Sequence, residues 1–166
     1  VSALITLALK EGLINTAVLA GDGGNFLTEG ILVNEISGVK KGARSKFVAS
    51  PTVAAFNQIV KSSAEKVGVV ATPCQALALS KMRLRPFPTE NRSIDKLRFV
   101  IGLFCGWALS WRELKAILNV KVGGRPIIGL DIPPSRYHSM EVHTDEGIVE
   151  ISLDEISPAI RKSCNY

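Results

Sequence analysis

Two segments of this chain share one pattern, in which a strand-like apolar run leads into a cysteine and then into a helical pattern. The first run is 67–71, with Cys74 in the turn after it, and the second is 98–104, followed directly by Cys105. Apolar runs of this length are typical of parallel strands that are buried on both faces. We therefore predict an α/β fold in which both turns lie at the carboxyl edge of one sheet, where open α/β folds bind ligands.

Shorter segments extend this sheet towards the N-terminus. Residues 2–13 have the apolar spacing of a helix that ends at Gly12, and two strand-like runs follow at 16–20 and 30–36. Thr52 is expected to cap the next helix, whose apolar residues recur at helical spacing. Together these segments predict an α/β fold with a mixed, largely parallel sheet flanked by helices.

The helix of the second unit has a recognisable start. Ser110 and Glu113 have the spacing of a capping box, in which each side chain bonds to the backbone amide of the other residue. Trp111, Leu114 and Leu118 then recur on one face, as expected of an amphipathic helix.

The pattern changes near the C-terminus. Prolines interrupt the helical spacing there, and two short strand-like segments flank a turn at 144–147. We therefore predict two domains, an α/β core over 1–124 and a small antiparallel β subdomain over 125–166.

Composition and charge exclude several classes of protein. The 166 residues are 46% hydrophobic and 21% charged, as in globular domains, which excludes disordered and fibrous chains. The longest uncharged stretch, 99–111, has 13 residues, whereas a membrane-spanning helix needs about 20. The net charge of +5 suits an anionic partner. Nucleic acid is not expected, because aromatic residues make up only 6% of the chain and do not alternate with basic ones.

The three cysteines, Cys74, Cys105 and Cys164, are an odd number for a disulfide framework and indicate a reducing, cytoplasmic compartment. Cys74 is expected at a helix N-terminus, where backbone amides and the helix dipole stabilise the thiolate. A thiolate binds metals or attacks electrophiles, whereas a buried, inert thiol is the alternative. Cys105 has the corresponding place after the second strand, so the two thiols can converge on one point.

Cys164 lies in a polar segment close to the last residue. Three thiols are one fewer than a four-thiolate metal site requires, and a cysteine at position 167 would supply the fourth. Because the chain also starts at Val1 within an apolar helical pattern, we interpret it as an internal fragment of a longer protein.

Two further features were considered as phosphate sites. The glycine-rich turn 21–24 follows a strand but does not fit the spacing G-x-G-x-x-G, so we interpret it as a tight turn. The basic residues of 40–46 and 81–85 either hold phosphates or form a solvated surface.

Five short segments match, in order, motifs of one known family. Residues 72–75, Thr-Pro-Cys-Gln, and 102–105, Gly-Leu-Phe-Cys, carry the most specific matches. Residues 3–14, 45–50 and 164–166 are similar to a helix start, an S-K-Y-x-x-S segment and the beginning of a C-x-x-C motif, with Phe47 in place of the tyrosine. In these segments the chain resembles the beta subunits of coenzyme F420-reducing hydrogenase and F420-dependent formate dehydrogenase.

The resemblance implies a flavoprotein within a redox complex of hydrogenase or dehydrogenase type, whose other subunits are the expected partners. Such proteins carry FAD and a 4Fe–4S cluster, and they pass electrons between the cluster and the deazaflavin coenzyme F420 through the flavin. The α/β core over 1–124 would then bind the flavin. The resemblance implies that Cys74, Cys105 and Cys164 are cluster ligands. From motif position, the expected cofactor-binding residues are Lys46, Ser50, Thr72 and Gln75.

Three functions follow from the sequence. The leading hypothesis is a flavin- and iron–sulfur-dependent oxidoreductase subunit that acts on F420. The alternative is a non-catalytic electron-transfer or docking subunit, and the third is an enzyme that uses the thiol of Cys74 alone. No catalytic residue is identified, and we expect the fragment to lack the cluster and to be inactive by itself.

Overall fold

The computed structural model describes residues 1–88 and 92–164. The chain divides into two compact units, of which the first comprises Val1–Lys46 and Ser50–Cys105 and the second Phe47–Ala49 and Gly106–Tyr166. The functional division into a flavin-binding core and a small β subdomain stays a prediction.

The first unit is built on one four-stranded sheet with helices between its strands. Its helices and strands, in chain order, are α1 (Ser2–Lys10), β1 (Thr16–Asp22), β2 (Thr28–Val33), α2 (Thr52–Gln58), β3 (Val67–Ala71), α3 (Pro73–Leu84) and β4 (Leu97–Gly102). The strand order is β2-β1-β3-β4. β3 pairs in parallel with β1 and β4, and β2 pairs antiparallel with β1. The predicted mixed, largely parallel sheet is therefore confirmed.

The sheet is covered on both faces, because its strands send alternate side chains into two different cores. One core contains Val69 of β3 together with Phe56 of α2 and Leu79 of α3. The other contains Val70 of β3 together with Ile5 of α1. All five residues of β3 are buried, which explains why this strand reads as an uninterrupted apolar run.

Glycines allow two close contacts beside this sheet. A Cβ atom at Gly30 of β2 would lie 2.5 Å from the Cβ of Ala55 and 2.8 Å from the carbonyl oxygen of Pro51, so α2 packs directly against the strand backbone. A Cβ atom at Gly68 of β3 would lie 2.8 Å from the ring of Phe99. Any larger side chain at either position would push these elements apart.

Several element boundaries in the first unit differ from the sequence prediction. α1 ends at Lys10 rather than at 13, and β2 spans Thr28–Val33 rather than 30–36. β4 ends at Gly102 rather than at 104, so residues 103–105 lie in the turn. β1 continues to Asp22 rather than ending at 20, so the turn begins two residues later than predicted. Thr52 is the first residue of α2 rather than its cap, which is Pro51.

The second unit contains the predicted antiparallel sheet near the C-terminus. Its helices and strands are α4 (Trp111–Val122), β5 (Ile127–Asp131), β6 (Ser139–Thr144), β7 (Gly147–Ser152) and α5 (Leu153–Ile156). The strand order is β5-β6-β7, with both pairs antiparallel. β5 was not predicted because Pro126 precedes it and Gly129 lies at a shift of its register, which hides the alternation of side chains. None of the described helices combines the length and apolar character that crossing a membrane requires.

The capping box predicted for α4 does not form. Ser110 is the N-cap residue, but its hydroxyl donates a hydrogen bond to the carboxylate of Glu113, and its side chain makes no capping bond to a backbone amide. This hydrogen bond is the main reason why the pKa of Glu113 lies below its usual value. At its other end the helix stops at Gly123, whose φ of 63° is left-handed.

The lowered pKa of Glu113 predicts a pH-dependent contribution to stability. A carboxylate whose pKa is depressed by folding stabilises the folded state above the pKa of the unfolded chain, and this contribution is lost as the pH falls through the folded pKa. We expect Glu113→Gln to lower the melting temperature at pH 7 by a few degrees at most. The difference from the unmodified protein should shrink as the pH falls below about 4, the usual range of a carboxyl group.

Thermal unfolding between pH 3 and pH 7, followed by circular dichroism, measures this difference. The matched control is Glu11→Gln, at an exposed residue just after α1. A Glu113→Gln difference that stays constant across the pH range would contradict the prediction.

Candidate functional site

The candidate site is the carboxyl edge of the four-stranded sheet, where β1, β3 and β4 end. The amide of Leu103 donates a hydrogen bond of 2.9 Å to the carbonyl of Ala71, so the turns after β3 and β4 leave the sheet side by side. α3 starts directly behind β3, with Pro73 in its first turn. Both cysteine-containing turns of the first unit therefore lie at this edge, as predicted.

Gln75 connects two segments that are distant in sequence. Its side-chain oxygen accepts a hydrogen bond of 3.0 Å from the amide of Thr72, as part of a capping box at the start of α3. Its side-chain nitrogen donates a bond of 2.7 Å to the carbonyl of Ser50. Gln75 thus links the start of α3 to the segment before α2.

Ser50 continues this connection to the neighbouring strand. Its hydroxyl donates a hydrogen bond of 3.2 Å to the carbonyl of Glu29 in β2, and the hydroxyl of Thr52 lies 3.4 Å from it. Three of the four predicted cofactor-binding residues, Ser50, Thr72 and Gln75, therefore belong to one set of hydrogen bonds, which we call the edge network.

Lys46 is the fourth predicted cofactor-binding residue and is half-buried. Within the described part of the chain, no hydrogen bond or ion pair joins it to the edge network. The structure therefore leaves its ammonium group separate from the other three predicted residues.

The thiol of Cys74 is exposed, so the alternative of a buried, inert cysteine is wrong for this residue. It lies in the first turn of the 12-residue helix α3, and its sulfur is 3.2 Å from the hydroxyl oxygen of Thr72. Either atom can donate in this contact.

The other two cysteines lie in different surroundings. Cys105 is exposed and is the last residue of the first unit, whereas Cys164 is half-buried in a short turn of the second unit. Across residues 1–88 and 92–164, no three His, Cys, Asp or Glu side chains lie together as a metal site requires. Thiolates suit an iron–sulfur cluster, but their number and grouping here do not complete one. Their assignment as cluster ligands stays a prediction.

The glycine-rich turn after β1 uses its polar groups internally. The amide of Gly24 donates to the carboxylate of Asp22 at 3.0 Å, and Gly23 and Leu27 close the turn with hydrogen bonds of 2.9 Å. Amides spent in this way are not available to a phosphate, which supports the interpretation as a tight turn.

Sequence reasoning missed one prominent residue at this edge, Phe104. It was placed inside a buried strand, but the strand ends at Gly102 and the ring of Phe104 is fully exposed. Gly102 and Gly106, on either side of it, were the available signal, because glycine weakens a strand.

The first unit is therefore an open α/β domain with helices on both faces of its sheet and a polar network at the carboxyl edge, the class of domain that binds ligands at that edge. Comparison with known proteins gives the family. The family model for the C terminus of the coenzyme F420 hydrogenase/dehydrogenase beta subunit matches residues 64–166. The chain belongs to this family, as its motifs predicted.

Several named relatives support this assignment. The chain is 32% identical over 125 residues to coenzyme F420 hydrogenase subunit beta of Methanothermobacter thermautotrophicus, an alignment that covers 74% of this chain and 44% of that protein. It is 27% identical over 129 residues to the coenzyme F420-dependent sulfite reductase of Methanocaldococcus jannaschii, covering 72% of this chain and 20% of that protein. The chain thus spans less than half the length of these relatives.

A solved structure has the same fold. The chain resembles one from the F420-reducing NiFe hydrogenase complex of Methanosarcina barkeri with a TM-score of 0.84 and 24% sequence identity. The similarity covers 98% of this chain and 56% of that one.

The edge network predicts a specific loss of stability. Gln75→Leu removes both hydrogen bonds and leaves the Thr72 amide and the Ser50 carbonyl without these partners. We expect the free energy of unfolding to fall by about 1–3 kcal/mol, as for other polar groups deprived of a partner.

Urea denaturation measures this change. The matched control is Gln58→Leu, at the exposed last residue of α2, for which we expect a change below about 0.5 kcal/mol. Equal losses in the two variants would show that the edge network contributes nothing to stability.

Proposed function

We propose that this chain forms part of a subunit of an F420-dependent oxidoreductase, in which FAD bound at the carboxyl edge exchanges electrons with coenzyme F420. The observation that carries the proposal is the edge network. It joins Ser50, from one family motif, to Thr72 and Gln75, from another, at the edge where open α/β domains bind ligands. The named relatives are proteins of coenzyme F420.

The residues at this edge fit a flavin nucleotide. The N-terminus of α3 presents the positive end of its helix dipole to an anionic group. A Cβ atom at Gly102, the last residue of β4, would meet nothing within 4 Å. Bound FAD supplies the hydride and electron chemistry, while the protein binds and orients it.

Within this proposal the four predicted residues have different roles. Ser50 and Gln75 bond to main-chain groups and act by holding the two turns in place. Thr72 presents its hydroxyl beside the exposed thiol of Cys74, and it is the residue of the network that we propose for cofactor contact. Lys46 would supply a positive charge to a phosphate or to the anionic tail of F420.

We assign no step to an iron–sulfur cluster, because the described residues do not form a complete site for one. The partners we propose are the other subunits of a redox complex. The name of the similar solved structure, a hydrogenase complex, supports this part of the proposal.

The test uses the full-length protein as encoded, purified without oxygen together with co-expressed partner subunits. We expect flavin absorbance in the purified protein and loss of F420 absorbance when an electron donor is added. Protein that takes up no FAD on reconstitution and does not reduce F420 would contradict the proposal. Bound flavin without F420 turnover would favour the alternative, a non-catalytic electron-transfer or docking subunit.

The hydroxyl of Thr72 gives a sharper prediction. Thr72→Val keeps the shape of the side chain but removes the hydroxyl beside Cys74. We expect kcat/KM for F420 to fall at least tenfold in the flavin-loaded protein. Thr6→Val, in α1, is the matched control and should stay within twofold. Equal activity in the Thr72→Val and unmodified proteins would exclude Thr72 from the site.

A further inference from the structure

The C-terminal end of α3 and the segment after it concentrate the positive charge of the chain. Residues 81–98 contain six basic and two acidic residues, a net charge of +4, in a chain whose total is +5. Because α3 runs away from the carboxyl edge, this charge lies towards the opposite edge of the sheet from the candidate site. We call it the α3-end surface, and it is defined by Lys81, Arg83, Leu84, Arg85, Phe87 and Arg92.

A cavity of about 230 Å³ opens beside this surface. Its lining residues are Asn57, Val60, Met82, Pro86, Phe87, Arg92, Ser93 and Ile94. Most of these side chains are apolar, so the cavity favours an apolar group. It is smaller than typical small-molecule sites, which occupy roughly 300–1,000 Å³, and suits one or two side chains of another protein.

Two large apolar side chains are mostly exposed: Phe87, which lines the cavity, and Leu84, the last residue of α3. Leu84 is 81% exposed and Phe87 is 76% exposed. Apolar side chains that lie together on a surface and are rimmed by charge mark interaction sites.

Most of the basic residues that define this surface are exposed. Lys81, Arg83 and Arg85 are exposed. Arg83 donates a hydrogen bond of 2.8 Å to the carbonyl of Leu97, which fixes the position of its guanidinium group. Asp95 pairs with Arg92 at 2.9 Å and offsets one of these charges.

We propose that the α3-end surface binds an acidic segment of a partner protein, with one apolar side chain of that segment in the cavity. The apolar side chain would contact Met82 and Phe87, and flanking carboxylates would face Arg83 and Arg85. Charge complementarity identifies the partner as acidic, and the concave cavity favours a peptide side chain over a membrane surface, which presents nothing to fill it. The proposal does not depend on the cofactor at the carboxyl edge.

The test measures binding of a fluorescein-labelled peptide by fluorescence anisotropy to the full-length protein as encoded. The peptide has a central leucine flanked by three glutamates on each side. We expect saturable binding that weakens at least tenfold between 50 and 300 mM NaCl. Replacing the leucine with serine should weaken it at least fivefold.

Two variants at exposed residues test the surface itself. Arg85→Glu should weaken peptide binding at least tenfold and Phe87→Ala at least threefold, with unchanged melting temperatures. Lys115→Glu makes the same change of charge at an exposed residue of α4, and it should stay within twofold of the unmodified protein.

Three results would overturn the proposal. Equal losses for Lys115→Glu and Arg85→Glu would show attraction by net charge alone. Equal binding of the leucine and serine peptides would remove the cavity from the interaction. Binding to vesicles of phosphatidylserine and phosphatidylcholine, without binding of the leucine peptide, would identify the surface as a membrane contact instead.

Discussion

Strand β3 is the element on which the rest of the first unit depends. It pairs with β1 on one side and β4 on the other, so the sheet divides in two without it. Its five residues are all buried, and they contact helices on both faces. Since parallel strands need a crossover between them, the pairing of β3 with β4 also requires α3 to return along the sheet. The position of Thr72, directly after β3, and the start of α3 at the carboxyl edge follow from this pairing.

The parts of the fold that could be predicted are those in which burial leaves a continuous or periodic pattern. The sequence predicts the observed bounds of β3, because a strand that is buried on both faces is apolar along its whole length and its ends are therefore clear. The predicted end of β4 lies two residues too late, because Leu103 and Phe104 are apolar although they lie outside the strand. In β5, Gly129 coincides with a register shift, and the alternation that marks an exposed antiparallel strand is lost. An apolar run therefore predicts a strand only where its side chains are buried in the core. It does not do so where they are exposed to a ligand or to solvent.

The same distinction applies to the site. Position after a buried strand was sufficient to place Cys74 and Thr72 at the carboxyl edge. No local pattern shows that Gln75 donates to Ser50, because this bond joins residues 25 positions apart and depends on how α2 packs against β2. The family motifs around the two residues predict that they belong to one site, but they do not show which interaction joins them. The side chain of Gln75 joins two segments, because its oxygen accepts a hydrogen bond from one and its nitrogen donates a hydrogen bond to the other.

The two ends of helix α3 carry different chemical groups, and the helix dipole explains the presence of only some of them. The positive dipole end at the N-terminus suits an anion, and cations near the C-terminus stabilise the dipole, which accounts for Lys81 and Arg83 without any partner. The dipole does not account for Leu84, the last helical residue, whose side chain is 81% exposed. Nor does it account for Phe87, three residues beyond the helix, which borders a cavity lined mainly by apolar groups. Exposing such side chains costs free energy that burial against a partner would recover. The inference of a docking surface therefore depends on Leu84, Phe87 and the cavity more than on the positive charge.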